Sequence, residues 1–158
     1  MKRIFALMAA AIVFLFAGQQ ARAEVITPVL AYGDAVIEKF EWGYLHCIEV
    51  RVTAEVTGAH TGEVSDILIP IDINGILLVA ETDPGTTSPT AAYDLTITNY
   101  GLDLFGAALN DRSATATERE QPTIPGVPVK GYLTLTTANQ SVSLAQFAVR
   151  IFYYDTRK

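Results

Sequence analysis

Cysteine is all but missing: Cys47 is the single one in 158 residues, so no disulfide can close within the chain, whatever its redox compartment. Without a partner thiol, Cys47 reads as a small buried hydrophobe. Histidine is almost as scarce, with only His46 and His60; a zinc site would have to recruit carboxylates. His46 and Cys47 are neighbours, but consecutive side chains on a strand point to opposite faces, which keeps them from acting as a Cys-His pair. His60, between Gly58 and Gly62, reads as a turn residue. No phosphate-binding glycine loop, dinucleotide fingerprint, GxSxG elbow or HExxH helix occurs. Positive charge is also short: 11 Lys and Arg stand against 17 Asp and Glu. Such an acidic surface repels phosphate backbones and removes the driving term for nucleic-acid binding. These absences predict no catalytic residue, no metal and no cofactor.

Long apolar runs are missing too, except at the start. The chain opens MKRIFALMAAAIVFLFAGQQARAE, with Lys2 and Arg3 ahead of 14 apolar residues (4–17) and then Ala21-Arg22-Ala23. A basic head, a short apolar segment and a small-x-small ending describe a secretory signal peptide cleaved after Ala23. The apolar segment falls short of the ~20 residues that span a bilayer. The expected organisation is a signal peptide over 1–23 and one domain over 24–158, secreted or periplasmic, with no membrane span after cleavage. Losing Lys2, Arg3 and Arg22 leaves eight basic side chains against 17 acidic ones, a net charge of −9.

What the mature part has in abundance is period-two alternation. In LHCIEVRVTAEV, Ile48, Val50, Val52, Ala54 and Val56 share one parity, and Glu49, Arg51, Thr53 and Glu55 the other, which is a strand with one wet face. YDLTIT and YLTLTT repeat the pattern through Leu95 and Ile97, and through Leu133 and Leu135. In VSDILIPIDINGILLVAE, Ile67, Ile69 and Ile71 precede Asp72-Ile73-Asn74-Gly75, and Ile76, Leu78 and Ala80 follow. Asn-Gly is a strong hairpin signal, so this segment is expected to fold back on itself. In SVSLAQFAVRIFYY the apolar parity switches between Leu144 and Phe147, and a β-bulge near Ala145-Gln146 is expected to keep both sets inward. Strands over 35–42 and 102–109 complete the set, with residues 104–109 also fitting a short helix. The prediction is an all-β fold of about eight strands: an antiparallel β-sandwich, jelly-roll or Ig-like Greek key. An outer-membrane barrel is disfavoured by Glu49, Arg51, Glu55, Asp66 and Asp72 at outward positions.

Residues 82–92 and 112–131 hold two and three prolines. Proline removes a ladder donor, so both runs are expected outside the sheets, as contact loops for a partner. Thr82, Asp83, Pro84, Gly85, Arg112, Glu118, Arg119 and Glu120 are the expected contact residues. Tyr100 and Tyr132 are candidate ligand aromatics, because an amphipathic ring gives a sugar both a packing face and a polar edge. Asp72 and Asn74, with Asp66 or Asp83, could gather oxygens for calcium but lack the dense ligand spacing of a dedicated loop. The pairs Glu38 with Glu41 and Glu118 with Glu120 have the residue types of a glycosidase acid and base. All read more simply as solvated charges.

The run GILLVAETDPGTTSPTAAYDLTITNYGLDLFGAALNDRSATATE, followed by VKGYLTLTTANQSVSLAQFAVRIFY, resembles a group of small β-sandwich virion-associated proteins of tailed bacteriophages and prophages. The shared features, over residues 75–154, are a strand ending in Pro-Gly, a P-x-x-x-Y-D strand, a G-[hydrophobic]-D turn, a polar N-x-[small]-A-T run and a G-x-L-T-L strand. The resemblance implies a structural subunit that binds its neighbours without catalysis. The export signal departs from that group and implies an envelope or surface module. The leading expectation is thus a non-enzymatic exported β-sandwich acting through protein–protein contacts or self-association. A carbohydrate- or receptor-binding module using the tyrosines is the alternative, and a carboxylate-dependent hydrolase the third reading.

Overall fold

The computed structural model describes residues 24–157; the expected signal peptide lies outside the described residues. Nine antiparallel strands form a sheet that does not close into a barrel, an all-β, sandwich-like fold. They are β1 (Glu24–Ile26), β2 (Asp34–Trp42), β3 (Leu45–Thr53), β4 (Ile67–Pro84), β5 (Asp94–Asn99), β6 (Leu102–Asp103), β7 (Glu118–Glu120), β8 (Pro128–Ala138) and β9 (Gln146–Asp155). The spatial order is β1-β2-β3-β9-β4-β8-β5-β6, with β7 also on β4. Among the described residues, no helix is long and apolar enough to cross a membrane.

The 18-residue β4 organises the whole arrangement. Its first half pairs with β8, from Ile67↔Leu135 to Ile76↔Pro128. Its second half pairs with β9, from Gly75↔Asp155 to Pro84↔Phe147. Register shifts at 69/73 and 77/79 bend such a strand and increase its twist, so its halves serve two sheet regions around one core. Tyr93, just before β5, and Phe147 on β9 lie by strands that do not pair with each other, yet their rings pack at 5.1 Å. The buried side chains of both regions form one contiguous cluster.

The expected hairpin at Asn74-Gly75 is therefore wrong: the chain runs straight through it. Gly75 has no positive φ, which a two-residue Asn-Gly turn would require. A Cβ there would collide with the Tyr154 carbonyl oxygen, so the glycine serves close approach of β9. The change of parity expected at the turn occurs instead at the 77/79 shift. Ile67, Ile69, Ile71, Ile73 and Leu77 face inward, then Ala80 and Thr82, while Ile76 and Leu78 are exposed.

Two further expectations are corrected, and one left open is resolved. No bulge forms at Ala145-Gln146: Leu144 adopts φ +56, Ala145 N–H bonds back to the Val142 carbonyl, and both Val142 and Leu144 are exposed. Residues 82–84 belong to β4, and the second proline-rich run contributes β7, paired through Ala80↔Glu120 and Thr82↔Glu118, and the start of β8. Residues 102–109 divide into β6 and a 3-10 turn (Gly106–Leu109) that brings Leu109 into the core behind Phe105.

Candidate functional site

Cross-strand register decides which side chains share a face, and on the outward face of β2-β3-β9-β4 it assembles four rows. The first is Trp42–Leu45–Tyr154–Ile76–Pro128, and the second Phe40–Cys47–Phe152–Val79. The third is Glu38–Glu49–Arg150–Glu81–Arg119, and the fourth Val36–Arg51–Ala148–Asp83. One end of the face is thus apolar and the other ionic. Leu45 and Tyr154 remain 40% and 42% exposed, Tyr44 stacks on Tyr154 at 5.4 Å, and Phe40 on Trp42 at 6.0 Å.

The ionic rows are closed upon themselves. Arg150 reaches Glu49 at 2.5 Å, Glu81 at 2.6 Å and Asp83 at 3.2 Å; Arg119 holds Glu81 at 2.5 Å, and Arg51 holds Glu38 at 2.5 Å and Glu49 at 3.3 Å. Glu81 is only 4% exposed. Burial alone would raise its pKa, but the hydrogen bonds from Arg150 and Arg119 outweigh it and hold the carboxyl below its ordinary value. Burial likewise opposes the charge on Arg150, and Glu49 and Glu81 overcome it.

Beyond the ladder lies a groove of about 390 Å³, where Val36 and Ala148 face outward between Asp34, Arg51, Asp83, Pro84 and Gly85, while the side chains of the adjoining Val52 and Phe147 are buried in the core. Ala148 makes the depression, because it is the small member of a row flanked by Arg51 and Asp83. Gly85 is needed at the rim: a Cβ there would meet the Gln146 Cβ at 2.6 Å.

Cys47 sits in the second row between Phe40 and Phe152, outside the central core cluster. Burial, aided by Glu49, pushes its thiol up to about 12. The reactive species is the thiolate, so labelling of the folded protein by a disulfide reagent at pH 8 is expected to proceed only at the rate of unfolding. Rapid stoichiometric labelling without denaturant would contradict this placement.

His46 faces the other way, as alternation requires. Its Nε2 is 3.0 Å from the Gly43 carbonyl and its Nδ1 3.2 Å from the Tyr153 hydroxyl. A carbonyl can only accept, so Nε2 carries the proton and Nδ1 accepts from Tyr153. Burial lowers the His46 pKa against the pull of the Gly43 carbonyl and the nearby Glu41, which keeps the ring neutral. Asp155, buried beside it, is held at about 2 chiefly by hydrogen bonds from Arg157, which also reaches Asp72 at 3.2 Å. His60 lies on the surface, stacked on Tyr32 at 4.1 Å with Glu63 at 2.9 Å.

The expected contact residues fare unevenly. Asp83, Pro84 and Gly85 line the groove, and the Arg119 side chain is well exposed. Thr82 and Arg112 are buried and present nothing to a partner. Arg112 instead clips its own segment, meeting Glu118 at 3.3 Å and Glu120 at 3.2 Å. Its Nε and Nη1, the Thr82 hydroxyl and the Tyr93 hydroxyl are buried outside hydrogen-bond geometry. Burial pushes the Tyr93 phenol up to about 12, with Arg112 pulling the other way.

Tyr100, 84% exposed, sits in the turn after β5, and Tyr132 is exposed on β8. Neither belongs to the four rows. Glu38 joins the ladder while Glu41 lies in the inward row with His46, so these carboxylates occupy opposite faces of β2. Asp72 and Asp83 are engaged by Arg157 and Arg150. Among the described residues, no group of three or more His, Cys, Asp or Glu side chains is arranged to hold a metal ion.

The apolar end of the outward face is what reading the sequence missed, although each strand carries a trace of it. The wet parity of β3 turns apolar at Leu45 and Cys47, that of β2 at Phe40 and Trp42, and that of β9 at Phe152 and Tyr154. Only the register brings the three traces together. In comparisons with known proteins, the chain matches no protein-family model and none of the curated proteins.

Proposed function

We propose that this is a non-enzymatic, exported β-sandwich module that works through protein–protein contacts, with the outward face of β2-β3-β9-β4 as the contact surface. The observation that carries this reading is the row Trp42–Leu45–Tyr154–Ile76–Pro128, an apolar band crossing five strands beside an internally paired ion ladder. Contiguous apolar surface rimmed by polar groups marks interaction sites, and aromatic side chains are the residues interfaces favour. The sequence resemblance to virion-associated sandwich proteins and the signal-like residues 1–23 point the same way, toward a structural module at an envelope or surface. A second reading, carbohydrate binding, draws on the exposed Tyr100 and Tyr132.

The test is light scattering and cross-linking of residues 24–158, alone and in native extract. The expected result is an assembly lost in Leu45→Glu, with the far-ultraviolet spectrum and unfolding midpoint unchanged because Leu45 points outward. A chain that stays monomeric at about 1 mM and captures no protein would remove the proposal; glycan binding lost with Tyr100→Ala would move it to the second reading.

A further inference from the structure

We propose that the groove over Ala148 receives a lysine or arginine side chain of the partner protein. This rests on the contact-surface reading above and adds the partner's chemistry to it. The outward-facing side chains of Val36 and Ala148 suit the methylene stem of a long basic side chain, which buries its stem while its charged head stays at a polar rim.

Electrostatics select the sign. Asp34, Glu38, Glu49, Glu81 and Asp83 stand against Arg51, Arg119 and Arg150 around the groove and ladder, a local excess of two negative charges. All three arginines are already held by glutamates. The Asp34 side chain has no hydrogen bond or ion pair among the described residues, which leaves its carboxylate open to an incoming donor. Asp83, which also lines the groove, accepts from Thr117 at 2.8 Å and pairs with Arg150 at 3.2 Å. The net charge of −9 over residues 24–158 draws a cationic partner toward the protein from a distance, and the local excess of negative charge favours its approach here.

Position adds a spacing rule. Ala148 and Phe152 lie four residues apart on β9, about 13 Å along an extended strand. A partner segment lying along β9 would place its basic residue in the groove and an apolar residue on Phe152 or Tyr154, four to six positions away.

The experiment is an NMR titration of the isotope-labelled chain with the acetylated methylamides of arginine, glutamine and glutamate. The arginine probe is expected to give saturable amide shifts at Ala148, Gln146 and Gly85, with affinity about fivefold lower in Asp34→Asn. Ala148→Leu, an outward substitution that fills the groove, should abolish the shifts. Equal affinity for the glutamine probe, or no saturable shift with arginine up to about 100 mM, overturns the proposal. The two readings fail separately. Arginine binding in a chain that never associates sinks the contact-surface reading alone; association that persists in Ala148→Leu and ignores the arginine probe sinks only the groove.

Discussion

Gly75→Ala is expected to cost the fold about 3 kcal/mol, near the upper end of the usual range for overpacking, and Gly75→Val should leave little folded protein. Gly75 is flanked on both sides, by Val129 of β8 and Asp155 of β9. An added Cβ would run into the Tyr154 carbonyl oxygen, with that residue's carbonyl carbon at 3.1 Å and Tyr153 Cδ2 at 3.2 Å. The obstacle is paired backbone, which has no alternative rotamer. Relief requires β9 to move away from β4 where the two sheet regions meet, disturbing Tyr153 and its hydrogen bond to His46. Gly101→Ala is the control: φ is +81 there but nothing lies within 4 Å, so only the conformational term of about 1 kcal/mol remains. Urea unfolding with an unchanged slope measures both. A Gly75→Ala loss no larger than the Gly101→Ala loss would show that β9 yields easily and that the crossing is soft.

The same glycine shows how far the sequence could be read. Alternation placed β2, β3, β5 and β8 within a residue or two on average, because one-sided burial writes itself directly into period two. Asn74-Gly75 was misleading because a turn-forming dipeptide and a close-approach glycine look alike until the neighbour is known. The neighbour, Tyr154, is 79 residues away in sequence. The parity changes at 77/79 and around Leu144 were visible, but their causes were not: one is a shift of register against β9, the other a left-handed residue before the strand. Proline misled in the opposite direction. Pro84 and Pro128 sit at the end of β4 and the start of β8, where a missing ladder donor is tolerated, so segments expected to be loops supplied strand ends.

The candidate face was legible only in fragments. The proline-rich run makes Asp83, Pro84 and Gly85 candidates, and the structure sets them at the groove for another reason: they close the end of β4 beside Gln146 and Phe147 of β9. Arg112 reads as a loop charge and is an internal clip. Side-chain type alone cannot separate these cases, since both are polar residues near prolines; what differs is whether the backbone pairing turns them toward water.

The Arg150 ladder supplies the second large expected effect. Arg150→Met should cost about 2–3 kcal/mol at pH 7, below the usual figure for breaking a fully buried pair because Arg150 keeps some solvent access. Its loss leaves Glu81, almost fully buried, with only the exposed Arg119, and leaves Glu49 with Arg51. The pH dependence identifies the cause. In the native protein the Glu81 pKa is depressed, so its contribution is present above the unfolded value of about 4.3 and is lost as pH falls through the lower folded value. Without Arg150, burial dominates and the Glu81 pKa rises, so the carboxylate destabilises the fold at neutral pH and the penalty shrinks once it is protonated. The difference between wild type and Arg150→Met in urea unfolding should therefore be large at pH 7 and much smaller at pH 4. Adding Glu81→Gln should recover part of the loss at pH 7, a coupling that a double-mutant cycle isolates. An equal penalty at both pH values would mean that Arg150 holds the strands together by packing its stem, and that the row of charges across β2, β3, β9, β4 and β7 contributes little to keeping this face in register.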